Sequence, residues 1–215
     1  MARVSFTGAD HALSTALFGC LRPQDHVTFL TGRPDHSTRP LLQGYPGCLA
    51  EWGISYSHID LTPDGLPDTS AFGHAFADQT PTAVVLQRAP DLIPSIADAR
   101  RQFLSMQHLH SCVEAIHASF NDYSPLIFVD NRHSEFIETE EPGVLDVDAI
   151  TGTLLSSIGG SIVPSGGYVA GRRAIVEKAC SQLCAPGASF DSQRVQNAVS
   201  TGCLPLMWIY FHHQL

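Results

Sequence analysis

The chain has 215 residues, 44% of them hydrophobic and only 15% charged, with a formal net charge of −9. That length can bury one full core, and residues 1–215 read as a single domain. Eleven arginines scattered along an acidic chain and one lysine, Lys178, make no basic stripe for nucleic acid, and the longest apolar run, "CLPLMWIYF", is too short to span a bilayer.

From the N terminus, "SFTGADHAL" sets Thr7 and Gly8 before a helix carried by Ala12, Leu13, Ala16, Leu17 and Cys20. Unpaired N–H groups at such a helix start form an anion cradle suited to phosphate, while Asp10 acting as an ordinary cap is the plain structural alternative. Hardly any sequence stands ahead of this turn to form a neighbouring strand, and both ends of the chain look cut. Apolar, β-rich runs follow at "HVTFL" (26–30), "ISYSHIDL" (54–61), "TAVVLQ" (82–87), "PLIFVDN" (125–131), "AITGTLL" (149–155) and "GGYVAG" (166–171). Helical periodicity lies between them, as at Ile96, Ala99, Phe103, Met106 and Leu109. The alternation predicts an α/β fold, a mostly parallel sheet with helices on both faces, and ligands in such folds bind beyond the carboxyl ends of the strands.

Two residues stand at such ends. Asp130 closes "LIFVDN", where its carboxylate can pair with a protonated ring nitrogen of a bound cofactor or simply cap the next segment. Thr153, in "GTLLSSIGG", offers a hydroxyl to a phosphate, and Gly159 and Gly160 permit close approach; a plain turn toward "GGYVAG" is the other reading.

Cysteines at 20, 48, 112, 180, 184 and 203 have no disulfide-framework spacing, so reduced thiols in a cytoplasmic protein are expected. Neither Cys180 with Cys184 nor His108, His110 and Cys112 matches a zinc-ligand pattern, so no metal is expected. The first residues hold no apolar core of signal-peptide length.

Glycine turn, strand-end aspartate and Ser/Thr turn, in that order, follow the layout of a fold-type-I pyridoxal-phosphate domain. At this point the chain resembles the aluminium-resistance or methionine gamma-lyase-like family, related to cystathionine beta-lyases. "ALFGCLRPQD" (16–25) is similar to the family's LFGxLRPGD, "TGRP" (31–34) to TGxPYDT, "GCLAEWGI" (47–54) to GSLxxxGI and "LQR" (86–88) to IQRS. "FVDNRHSEFIETEEP" (128–142) resembles FVDNCYGEFxExxEP, "GTLLSSIGG" (152–160) GSLIKNPGG, "GGYVAGR" (166–172) GGYIxGR and "APGASFD" (185–191) APGIGxE.

The resemblance implies pyridoxal phosphate as cofactor, Thr7 and Gly8 toward its phosphate, Thr153 beside them, and Asp130 on its ring nitrogen. It also marks departures. The lysine of GSLIKNPGG, which forms the Schiff base, is Ser156 here. Asp35 and His36 replace Tyr-Asp, Arg132 and His133 replace Cys-Tyr, the motif before the first helix is one residue longer, and "APDLIPS" (89–95) is shorter than the family's segment. Asp130, Asn131, Glu135, Thr153, Gly159 and Gly160 are retained. The implied protein is a large domain without the family's N-terminal arm and small C-terminal domain. Its expected function is that of a degenerate, truncated and inactive relative of a carbon–sulfur lyase for sulfur amino acids, or else a non-catalytic subunit pairing with an intact paralogue. Its expected partners are a small-molecule amino acid and a homo- or hetero-oligomeric mate, with neither nucleic acid nor membrane.

Overall fold

In the computed structural model, which describes residues 2–93, 100–120, 123–153, 155 and 166–183, seven strands form one sheet. The strands are β1 (Ala2–Phe6), β2 (His26–Phe29), β3 (Ser55–His58), β4 (Ala83–Gln87), β5 (Leu126–Asp130), β6 (Ala149–Gly152) and β7 (Gly167–Gly171). Their order is β1-β7-β6-β5-β4-β2-β3, with β2, β3, β4, β5 and β6 mutually parallel and β7 antiparallel to both β6 and β1. The mostly parallel α/β architecture expected from the alternating pattern is therefore present.

The apolar runs become central strands because both of their faces are covered. Phe29, Val85, Phe128, Ala149 and Val169 point to one face, under α1 (Ala9–Cys20) and α5 (Arg173–Leu183). Leu30, Val84, Leu86, Ile127, Val129 and Ile150 point to the other, under α3 (Phe72–Asp78) and α4 (Met106–Ala118). A short turn of helix, α2 (Arg39–Leu42), follows the loop after β2. Alternate residues of one strand thus feed two cores, as a period of two requires. No helix among the described residues is long and apolar enough to cross a membrane.

Two expectations are corrected. Ala2–Phe6, thought too short to supply a strand, pairs along its whole length with β7. The helical period read from Ile96 to Leu109 carries no helix over residues 100–105, and α4 starts at Met106, because Ser105 caps it: its side chain accepts from His108 N at 3.3 Å. Ahead of that cap the backbone is committed elsewhere, Gln102 N donating to Gly65 O and Leu104 N to Arg88 O. Ser156, Gly159, Gly160, Cys184, Cys203 and the apolar run near residue 208 lie outside the described residues. Cys20, Cys48 and Cys112 are buried free thiols and Cys180 is buried; burial pushes Cys20 up to about 11 and Cys112 to about 12, far from reactive thiolates.

Helices α1 and α5 cross at Gly19, where an added Cβ would stand 2.7 Å from the carbonyl oxygen of Lys178. Backbone cannot yield there as a flexible side chain would. Gly19→Ala is therefore expected to cost about 1–3 kcal/mol, seen as a lower urea midpoint at unchanged slope. An unchanged midpoint would mean that the two helices separate at no cost.

Candidate functional site

The carboxyl ends of β2, β4, β5 and β6 and the start of α1 meet at one edge of the sheet. They frame a cleft of about 340 Å³ whose lining includes Asp10, His36, Ser37, Arg132, His133 and Thr153. It lies near the point where strand order reverses, β3 and β4 flanking β2 on opposite sides.

Gln87, at the end of β4, organises the floor. It is buried, and its amide nitrogen donates to Thr38 Oγ1 and to Asp130 Oδ2, both at 3.1 Å. Its amide oxygen accepts from Asp35 N at 2.9 Å, so one side chain ties the loop after β2 to the end of β5. Asp35 in turn pairs with the buried guanidinium of Arg101. Burial drives its carboxyl up to about 6 even though Arg101 opposes the shift.

Asp130 closes β5 with 1% of its surface exposed, and it does not line the cleft; Arg132 does, lying over it. Arg132 Nε donates to both carboxylate oxygens, at 3.1 and 2.8 Å, and Nη2 stands 2.7 Å from Oδ2. The Arg132 backbone N–H adds a contact at 3.3 Å. The rest of the guanidinium reaches Asp10 in the first turn of α1, Ser37 Oγ at 2.6 Å and Thr38 Oγ1 at 3.2 Å. Burial works against its charge, and the carboxylates of Asp130, Asp10 and Asp35 outweigh that cost, holding Arg132 well above the ordinary arginine range. The carboxylate read as one that can pair with a ring nitrogen is covered here by an ion pair from two residues downstream.

Thr7 and Gly8 stand at the start of α1, with Gly8 as an extended N-cap that makes no side-chain cap bond. Both donors of Thr7 turn toward His11, whose Nδ1 lies 3.3 Å from Thr7 N and 2.8 Å from Thr7 Oγ1. Thr153 follows β6 and lines the cleft; its N–H donates to Glu135 Oε1 at 2.7 Å and its hydroxyl donates to Gly166 O. Glu135 reaches this strand end because His133 and Phe136 on either side adopt left-handed φ values of 63° and 64°. Its Oε2 is buried and has no hydrogen-bond partner among the described residues.

Sequence reasoning had no part for Gln87, Arg101 or Asp10 in this cluster. Their only signal was charge or amide at a strand end or helix start, which many unrelated turns share. Lys178 lies on α5 beside Gly19, in a separate hollow lined also by Phe18, Leu21 and Trp52. Ten residues of α1, about 15 Å of helix, separate Gly19 from Ala9 at the cleft.

The described residues do not fit pyridoxal phosphate in the way the resemblance implied. The ring nitrogen's acceptor is taken by Arg132 and Gln87, and the chain's single lysine sits at the far end of α1.

The family model for methionine gamma-lyase matches residues 1–197. The uncharacterised protein YnbB of Bacillus subtilis is 29% identical over 192 residues, which are 87% of this chain and 43% of YnbB. A Listeria monocytogenes candidate cystathionine beta-lyase involved in aluminium resistance superposes with a TM-score of 0.78 at 28% identity, covering 87% of this chain and 47% of that one. The pyridoxal-5'-phosphate dependent protein YhfS of Escherichia coli shares the fold alone, with a TM-score of 0.63 at 13% identity over 94% of this chain and 49% of its own. The chain thus spans a little under half the length of the relatives it matches. With the strand-end aspartate, the buried Gln87 and Arg88 of its "LQR" and the ordered motifs in place, the chain belongs to the methionine gamma-lyase family.

Proposed function

We propose that this chain is a catalytically inactive member of a family of carbon–sulfur lyases that act on sulfur amino acids with pyridoxal phosphate. One observation carries the reading: no amine stands where the family motif needs one. Ser156 takes the lysine position of "GTLLSSIGG", and Lys178, the sole lysine of the sequence, lies beside the carboxyl end of α1. A hydroxyl forms no imine with an aldehyde, and it is far too weak a base at neutral pH to move the substrate's Cα proton. Loss of acid–base catalysis alone removes about 10² to 10⁴ in rate.

The test mixes the purified chain with pyridoxal phosphate and, separately, cystathionine or methionine, then follows α-keto acid release. The expected rate equals that of the cofactor without protein. Borohydride reduction and peptide mapping are expected to show only slow, non-saturating label on Lys178, as for any surface amine. Keto acid formed above the blank, or saturable labelling of Lys178, would defeat the proposal.

A further inference from the structure

We infer that Arg132 is a resident cation on Asp130, a guanidinium that fills the place of a cofactor's protonated ring nitrogen and excludes pyridine-ring phosphates from this cleft. The geometry is that of an occupied receptor. A strand-end carboxylate can serve a ring N–H only if an oxygen is free to accept along the direction from which the ring arrives. Both oxygens of Asp130 instead accept from Arg132 Nε, Oδ1 also from the Arg132 backbone N–H, and Oδ2 lies against Nη2 and accepts from Gln87 as well.

The guanidinium is itself held from its outer side, by Asp10 on α1 and by Ser37 and Thr38 in the loop after β2. Those tethers come from two elements that would flank a ring, so the side chain cannot swing aside without breaking contacts on both. Arg132 lines the cleft while Asp130 does not, and the arginine is only 6% exposed, so a ring entering the cleft meets a buried positive group. A protonated ring nitrogen, itself a donor, meets the donors of Arg132 there in place of a free acceptor. The opposite end of such a ligand fares no better: the donors of Thr7 face His11, and Asp10 stands in the same first turn of α1.

This inference is separate from the loss of the lysine. Pyridoxine 5'-phosphate keeps the ring nitrogen and the phosphate but lacks the aldehyde, so its binding is indifferent to every amine in the chain. Fluorescence titration or equilibrium dialysis of the native chain with this compound should show no saturable binding up to millimolar concentration. Arg132→Cys, which installs the residue that the family motif carries here, should bind it saturably and at least about tenfold more tightly than the native chain. Asp130→Asn added to Arg132→Cys should abolish that gain. Saturable binding to the native chain, or a folded Arg132→Cys variant that binds no better, would overturn the inference.

A second measurement needs no variant to fold for binding. In ¹⁵N spectra of the native chain the Arg132 Nε–H, buried on Asp130, should exchange slowly with solvent and keep its shift as pyridoxine 5'-phosphate is raised to millimolar concentration. A resonance that moves saturably, or that loses its protection as ligand is added, would show that the guanidinium yields its place and would equally overturn the inference.

Discussion

Arg132→Met is expected to lower the unfolding free energy by about 3–5 kcal/mol, the usual cost of removing one partner of a buried ion pair. The magnitude rests on what remains. Asp130 would stay at the end of β5, held by flanking strands at Gln87 and Thr151, with 1% of its surface exposed. Its oxygens would keep only the Gln87 amide, at 3.1 Å, and the backbone N–H of residue 132, at 3.3 Å, and a buried carboxylate with two neutral donors is poorly compensated. Combining Asp130→Asn with Arg132→Met should recover most of the loss, because an amide oxygen can still accept from Gln87 while neither charge remains. Asp10→Asn should cost under about 1 kcal/mol, since Asp10 is half exposed and water replaces its ion pair. Urea melts of the three variants provide the check. A single variant as stable as the native chain, or a double variant no better than the single, would show that the pair is not the electrostatic keystone of this strand end.

The same pair shows how far the sequence could be read. "HVTFL", "TAVVLQ" and "LIFVDN" were legible as strands because each is a short apolar run bounded by turn residues, and burial on both faces selects that composition. Asp130 was legible as a strand-end residue for the same reason. β1 was not, because "ARVSF" is half polar and becomes a strand through pairing with β7, a partner more than 160 residues away. The start of α4 was misread because the apolar period runs on past Ser105 toward the N terminus. What breaks it is tertiary: Arg101 is drawn into a pair with Asp35, 66 residues earlier. Arg132 was visible only as a departure from a motif. Its partner Asp10 is 122 residues away, and nothing local to "FVDNRHSEF" announces that the arginine folds back onto its own aspartate.

A second large effect is expected at Glu135, as a dependence of stability on pH. Burial raises its carboxyl to about 8; the backbone N–H groups of Glu135 and Thr153 oppose that shift, and the charges of Asp130 and Glu141 add to it. A carboxyl raised in the folded state binds its proton more tightly there than in the unfolded chain. Its contribution is therefore complete below about pH 4.5 and is lost as the pH climbs to about 8, a change on the order of 4 kcal/mol. Asp35, raised to about 6, adds a loss of the same sign in the lower part of that window, so the native curve alone does not isolate Glu135. The difference between the native chain and Glu135→Gln does, because glutamine stays neutral at every pH. Relative to that variant, the native chain should lose stability steadily from pH 5 to pH 8 and then level off. The expected direction follows from geometry as well as from titration: a Cβ placed on Gly152 would lie 2.4 Å from Glu135 Oε1 and 2.8 Å from Tyr168 Oη, so the buried carboxyl is wedged against the end of β6. Ionising it should loosen the end of β6 at Gly152 and Thr153. A native-minus-variant difference that stays flat from pH 5 to pH 9 would mean that Glu135 is charged in the folded chain throughout, and the account of a neutral carboxyl beneath Thr153 would fail.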